Sequence, residues 1–255
     1  MLMLRFAKLL LLLALLSGPA FAGDTRVAVA TNFTHAARAL TTAFERETGH
    51  RVRFSFGATG QLYAQISQGA PFDAFLAADQ VRPQRAEVEG LAVRGSRFTY
   101  AMGALVLYGG NKRPVQEGTL ATTAPDRLAI ANPATAPYGA AALETLAAMG
   151  LLETYQERLV RGTNVAQAYQ FIATGNAELG FVALALVFDQ APTDYWLVPA
   201  TLHRPIAQDA VLLTRGETND AARAFLTFLQ GPEARAIISR MGYHLPAAKG
   251  GAADG

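Results

Sequence analysis

The chain has 255 residues, no cysteine and a formal net charge of +2. That length serves one large domain or two modest ones, and the lack of cysteine rules out a disulfide-stapled scaffold. Two of the 22 Lys and Arg lie in an N-terminal leader, so the rest of the chain balances its 20 Asp and Glu, which gives no electrostatic case for nucleic acid or for an anionic membrane surface.

The leader comes first. Arg5 and Lys8 precede the apolar run Leu9 to Leu16, and Ala20-Phe21-Ala22 forms a small-x-small site. This is the pattern of a cleaved signal peptide over 1–22. The apolar run is short for a bilayer span. Export without cysteine suits a bacterial periplasm and excludes a lipid-modified cysteine. A soluble protein with no direct membrane insertion is expected.

Short apolar runs then alternate with helical spacing, the mark of an α/β protein with largely parallel sheets. Arg26 to Ala30 reads as a strand. Thr31-Asn32-Phe33-Thr34 follows it, and Thr34 to Thr48 reads as a helix stopped by Gly49. Such a junction leaves backbone N–H groups without partners at the positive end of a helix dipole. Asn32 could cap that helix, or the junction could hold an anion. Val52, Phe54 and Phe56 alternate as a strand, Gly57-Ala58-Thr59-Gly60 breaks it, and Gln61 to Gln68 is helical. Phe72 to Ala77 is an apolar strand closed by Asp79, and Pro83 to Val88 a short helix. Tyr100 to Tyr108 reads as one long strand, and the Gly-, Thr- and Pro-rich stretch from Gly109 to Pro125 as loop.

A second series begins with the strand Leu128 to Ala131. Pro133 to Tyr138 reads as loop, Gly139 to Ala148 as helix, Arg158 to Val160 as strand, Asn164 to Thr174 as helix and Leu179 to Ala183 as strand. Trp196 to Pro199 and Ile206 to Leu213 are further strands, and the second resembles a return to the first half. Helices are predicted over Asp220 to Gln230 and Pro232 to Met241. Two lobes result. Residues 23–102 with 206–246 form lobe one, 103–205 form lobe two, and a flexible tail covers 247–255. The hinge crossovers fall near Tyr100 to Ala104 and His203 to Gln208, with a ligand expected at the strand ends between the lobes.

Nothing in the sequence supports metal or nucleophile chemistry. The four histidines have no ligand spacing. No G-x-S-x-G occurs, and Gly57-Ala58-Thr59-Gly60-Gln61 lacks the lysine of a phosphate loop. What recurs is a strand, a short polar or glycine-containing loop, and a helix start free of Lys and Arg. It occurs at Thr31-Asn32, at Gly57 to Gly60, at Pro137-Tyr138-Gly139 and at Gly162 to Val165. These are either four ordinary turns or four dipoles that surround an oxyanion without a salt bridge.

Several of these stretches resemble periplasmic molybdate-binding proteins of ABC transporters. The resemblance is carried by Val27 to Phe33, by Phe54 to Ile66, by Phe228 to Ala234 and most specifically by the run Gly69-Ala70-Pro71-Phe72-Asp73-Ala74-Phe75-Leu76-Ala77-Ala78-Asp79. It implies a two-lobed type II periplasmic binding protein fold, each lobe a mainly parallel sheet flanked by helices. It implies a monomer that closes on molybdate or tungstate and delivers it to an inner-membrane permease, with no cofactor, no catalytic residue and no bare metal ion. The matching ligand positions are Thr31, Asn32, Thr59, Tyr138 and Val165, the last two mainly through backbone N–H. Thr59 stands where the family usually has Ser, Tyr138 where others carry Ala, and Ala183 where some place a Tyr hydroxyl.

A site made only of donors suits a dianion such as molybdate, tungstate or sulfate. Monohydrogen phosphate would leave its own proton unpaired, at about 1–3 kcal/mol. Two alternatives stand beside this reading: capture of another oxyanion such as sulfate, or a periplasmic enzyme with Asp73 or Asp79 as acid or base.

Overall fold

A computed structural model describes residues 22–110 and 114–246. The leader read as a signal peptide, up to residue 21, and the tail read as flexible, 247–255, lie outside the described residues. The strands are β1 (Asp24–Ala30), β2 (Arg51–Gly57), β3 (Ala74–Leu76), β4 (Phe98–Gly103), β5 (Leu105–Tyr108), β6 (Leu128–Ala131), β7 (Leu159–Gly162), β8 (Leu179–Ala183), β9 (Tyr195–Leu197) and β10 (Ile206–Leu212). They form two five-stranded sheets, in the orders β2-β1-β3-β10-β4 and β7-β6-β8-β5-β9. The helices are α1 (Thr34–Thr48), α2 (Thr59–Ser67), α3 (Val81–Val88), α4 (Thr119–Thr123), α5 (Pro137–Ala148), α6 (Leu152–Tyr155), α7 (Val165–Ala173), α8 (Asp220–Gln230) and α9 (Pro232–Arg240).

Each sheet has one reversed strand. β1 is parallel to β2 and β3, while β10 is antiparallel to β3 and β4. β6 is parallel to β7 and β8, while β5 is antiparallel to β8 and β9. The reversed strands are the two that enter from the other lobe. Both sheets aim their carboxyl ends at the cleft, so a chain leaving one sheet there enters the other from its cleft side and must run backwards. The run Tyr100 to Tyr108, read as one strand, is therefore two. Ala104 lies between β4 and β5 and marks the crossing; the run stays mostly apolar through both strands, so sequence pattern could not register the change.

Registers place the functional loops. Ala30 pairs with Gly57, so β1 and β2 end level. Ala131 pairs with Gly162, so β6 and β7 end level. The loops after each pair are then neighbours. Central strands are buried on both faces, with Val27, Ala28 and Val29 fully covered, as parallel sheets under two helical layers require. α1 buries Ala36, Ala37, Leu40, Ala43 and Phe44 and stops at Gly49, whose φ of 71° is left-handed.

Other boundaries moved as well, among them the helix read from Gln61, which begins at Thr59 and makes that residue helical. The loop predicted over 133–138 ends early, because Pro137 opens α5 at a position where its missing N–H is no loss. Tyr138 is thereby helical, not loop. The stretch 109–125 contains the short helix α4, whose buried Thr119 and Leu120 pack inward. The strand predicted at Arg158 to Val160 starts later, at Leu159, because Gln156–Arg158 is a 3-10 turn.

The two lobes touch across the cleft. Gly60 N–H donates to Thr135 C=O at 2.8 Å, and Arg82 Nη2 donates to Ala134 C=O at 3.2 Å. Gly139 lets α5 approach β6. A Cβ there would lie 2.1 Å from Ala131 O, a backbone atom that cannot swing aside. Gly139→Ala is expected to lower the melting temperature by roughly 5–10 °C, measured by calorimetry, because overpacking against backbone costs about 1–3 kcal/mol or more.

Candidate functional site

Four helix starts converge on one small cavity. Thr31, Asn32, Thr59, Tyr138 and Val165 all line it, together with Ala30, Gly57, Ala78 and Ala136. The cavity is small, far below what a sugar or an amino acid fills. No charged side chain lines it.

The supply of donors follows from how the helices begin. Thr31–Phe33 is a 3-10 turn, α2 begins at Thr59 and α5 at Pro137, and none of the three has a side-chain cap. First-turn N–H groups have no acceptor within their own helix, so those of Thr31, Asn32, Thr59 and Tyr138 face the cavity end uncapped. α7 is different. Asn164 caps it by accepting from Gln167 N–H at 3.0 Å, which leaves the N–H of Val165, two residues earlier, uncovered. Thr59 adds a hydroxyl. Its oxygen accepts from Ala78 N–H at 3.0 Å, so the hydroxyl proton is free to donate into the cavity. Thr31 is 7% exposed, and its hydroxyl has no protein partner among the described residues.

Asn32 does something the sequence did not indicate. It caps nothing: Phe33 stands at the cap position of α1, without a side-chain cap bond. Its amide nitrogen donates to Gln208 Oε1 at 2.8 Å and to Tyr243 Oη at 3.0 Å. Both amide hydrogens are thus engaged, and what remains for a ligand is the backbone N–H. Tyr243 returns a bond from its hydroxyl to Asn32 C=O at 2.8 Å.

Tyr138 is likewise committed through its side chain. Its hydroxyl accepts from Gln208 Nε2 at 3.1 Å. The Tyr100 hydroxyl lies 3.1 Å from both Ala77 C=O and Gln208 Oε1. Phe33 packs edge-on against Tyr100, with ring centroids 4.9 Å apart. The result is a buried neutral network of Asn32, Tyr100, Tyr138, Gln208 and Tyr243 directly behind the cavity. No sequence motif singles out Gln208, Tyr100 or Tyr243 for this network. The one available signal was a glutamine inside the otherwise mostly apolar strand Ile206–Leu212.

Burial raises the phenol pKa of Tyr138, Tyr100 and Tyr243. For Tyr138, the bond from Gln208 offsets part of that rise.

The two carboxylates weighed for acid–base chemistry lie outside the lining. Asp73 accepts from Arg26 N–H at 2.8 Å and pairs with Arg215 at 3.3 Å. Asp79 accepts from Arg82 N–H at 3.0 Å and forms an ion pair with the Arg82 guanidinium. Among the described residues no group of three or more His, Cys, Asp or Glu could hold a metal ion, and no helix is long and apolar enough to cross a membrane.

Residues 25–244 match the family model of bacterial extracellular solute-binding proteins. The chain belongs to that family. Family members similar to it include the molybdate-binding protein ModA of Azotobacter vinelandii, 50% identical over 91% of this chain and 94% of the relative. ModA of Rhodobacter capsulatus is 48% identical over 91% and 93%. Among solved structures, the periplasmic molybdate-binding protein of Azotobacter vinelandii superposes with a TM-score of 0.81 at 41% identity, covering 87% of this chain and 99% of that one.

The buried phenols give an alkaline limit to stability. Below about pH 10, the ordinary phenol value, all three are neutral in folded and unfolded chains and their contribution is intact. Above it the unfolded chain ionises first, because the folded values are raised, and stability is lost as pH climbs towards those values. Melting temperature is expected to stay level from roughly pH 7 to 9 and fall beyond about pH 10, with a shallower fall in Tyr100→Phe.

Proposed function

We propose that this chain is a periplasmic solute-binding protein that captures molybdate and hands it to an ABC-type importer. One observation carries the reading: four helix starts and two threonine side chains converge on one small cavity, with no charged side chain among its described lining residues. Backbone N–H groups at a helix start bind anions through unpaired donors and the helix dipole together. The relatives at 50% and 48% identity are named for molybdate, and the five lining residues are the positions at which that likeness implies contact.

The chemistry selects by proton count. Molybdate and tungstate arrive as bare dianions and use acceptors alone. Monohydrogen phosphate carries a donor with no acceptor to meet it, a mismatch worth about 1–3 kcal/mol. Tungstate has the same charge and nearly the same size, so it is bound as well. Thr31, Asn32 and Thr59 present donors from lobe one, Tyr138 and Val165 from lobe two. A ligand touching both lobes favours the closed form by population shift, and the closed form is what the inner-membrane permease recognises. Lobe one is assigned to 23–102 with 206–246 and lobe two to 103–205. The mature protein starts after a cleaved leader ending at Ala22, acts as a monomer in the periplasm, and performs no catalysis.

Calorimetric titration of the mature protein is expected to show submicromolar molybdate and tungstate binding, with sulfate and phosphate weaker. Absence of binding to every tetrahedral oxyanion would end the proposal. Thr59→Ala should weaken molybdate by roughly 10- to 100-fold, the worth of one hydrogen bond to a charged group, and Thr59→Ser should restore most of it. Equal affinity in all three would remove Thr59 from the site while leaving the function standing.

A further inference from the structure

The geometry points to Gln208 as a positioning residue that couples anion capture to lobe closure, through the hydrogen bond from its carboxamide to the Tyr138 hydroxyl. The inference rests on the reading of the cavity as the molybdate site.

Gln208 is completely buried. It sits on β10, immediately after the chain returns from the second lobe. Its two ends face different lobes. The oxygen accepts from Asn32 Nδ2 at 2.8 Å and lies 3.1 Å from the Tyr100 hydroxyl, both in lobe one. The nitrogen donates at 3.1 Å to Tyr138, on α5 of lobe two. One side chain therefore fixes the first anion loop and reads the position of the third.

The bond sits where both crossovers pass. Gly103 ends β4, the outgoing strand, and a Cβ there would lie 2.1 Å from the Tyr138 hydroxyl and 2.6 Å from Gln208 Nε2. Only a bare backbone leaves room for the two groups to meet on the hinge. Tyr138 and Asn32, the partners of the two ends of the Gln208 carboxamide, both line the cavity. Tyr138 presents its backbone N–H to the cavity, and Asn32, tied to Gln208, presents its own. With the Gln208 bond made, these two donors sit at a fixed separation. If α5 swings away on opening, a buried carboxamide N–H loses its acceptor, which opposes release.

Tyr138→Phe removes the hydroxyl and keeps the backbone N–H; Gln208→Met removes the carboxamide at similar length. With sodium molybdate as the probe, each is expected to weaken binding roughly 10- to 100-fold, with the change in the release rate rather than the association rate. The double variant should cost no more than the worse single one, because both break one interaction. X-ray scattering at saturating molybdate should show a less compact average in both variants than in the wild type. A merely structural role would lower melting temperature without moving release or compaction, and that result overturns the proposal, as do additive losses in the double variant. Should Gln208→Met fail to fold, the release rate of Tyr138→Phe decides alone. Failure of the wild type to bind molybdate would overturn the functional reading and this proposal with it. Normal wild-type binding with unchanged variants overturns this proposal only.

Discussion

The structure depends on leaving helix starts uncapped where they meet. A helix needs acceptors for its first N–H groups, and proteins usually supply them from Ser, Thr, Asp or Asn side chains. Here the 3-10 turn at Thr31, α2 and α5 have no side-chain cap, and all of them end at one small cavity. On the proposed function, an anion in that cavity acts as the shared cap. Capping and binding are the same physical demand, met in one case by the protein and in the other by a ligand. Positive side chains would hold an anion more tightly, but they would also hold singly protonated ones. Dipoles and N–H groups demand acceptors and nothing else.

Convergence of the helix starts is a matter of strand register. Level ends at Ala30 and Gly57 in one sheet, and at Ala131 and Gly162 in the other, set the loops side by side. The reversed strands β5 and β10 follow from the same arrangement, since both sheets aim their carboxyl ends at one cleft. Two of the contacts that join the lobes are neutral, Gly60 to Thr135 through backbone and Gln208 to Tyr138 through side chains; a third is the Arg82 guanidinium on Ala134 C=O. Neutral hydrogen bonds position groups without adding a field that would compete with the anion. The ion pairs stand farther out, as with Arg204 and Glu144 on the adjoining groove.

Much of this was legible in the chain itself. The strand–helix alternation, the stop at Gly49 and the helix start at Pro232 come from local rules of spacing, left-handed glycine and proline at the first helical turn. The absence of Lys and Arg from four helix starts is likewise local, and so is the family likeness in the run from Gly69 to Asp79. These features depend on a residue and its near neighbours, which is what sequence records directly.

Other features are non-local and escaped it. Ala104 divides one apolar run between two sheets because of where the second lobe stands, not because of its own chemistry. Asn32 looked like a cap, and its amide instead bonds Gln208 and Tyr243, which are 176 and 211 residues away in the chain. The Tyr138 hydroxyl could have entered the site, but Gln208 draws it to the hinge. The sequence by itself determined which groups were available: uncharged helix starts, threonine hydroxyls, a neutral chain without cysteine. Only the tertiary structure decided which of those groups face the cavity and which are used to hold it, because a hydrogen bond is assigned by distance and direction between atoms that the fold alone brings together.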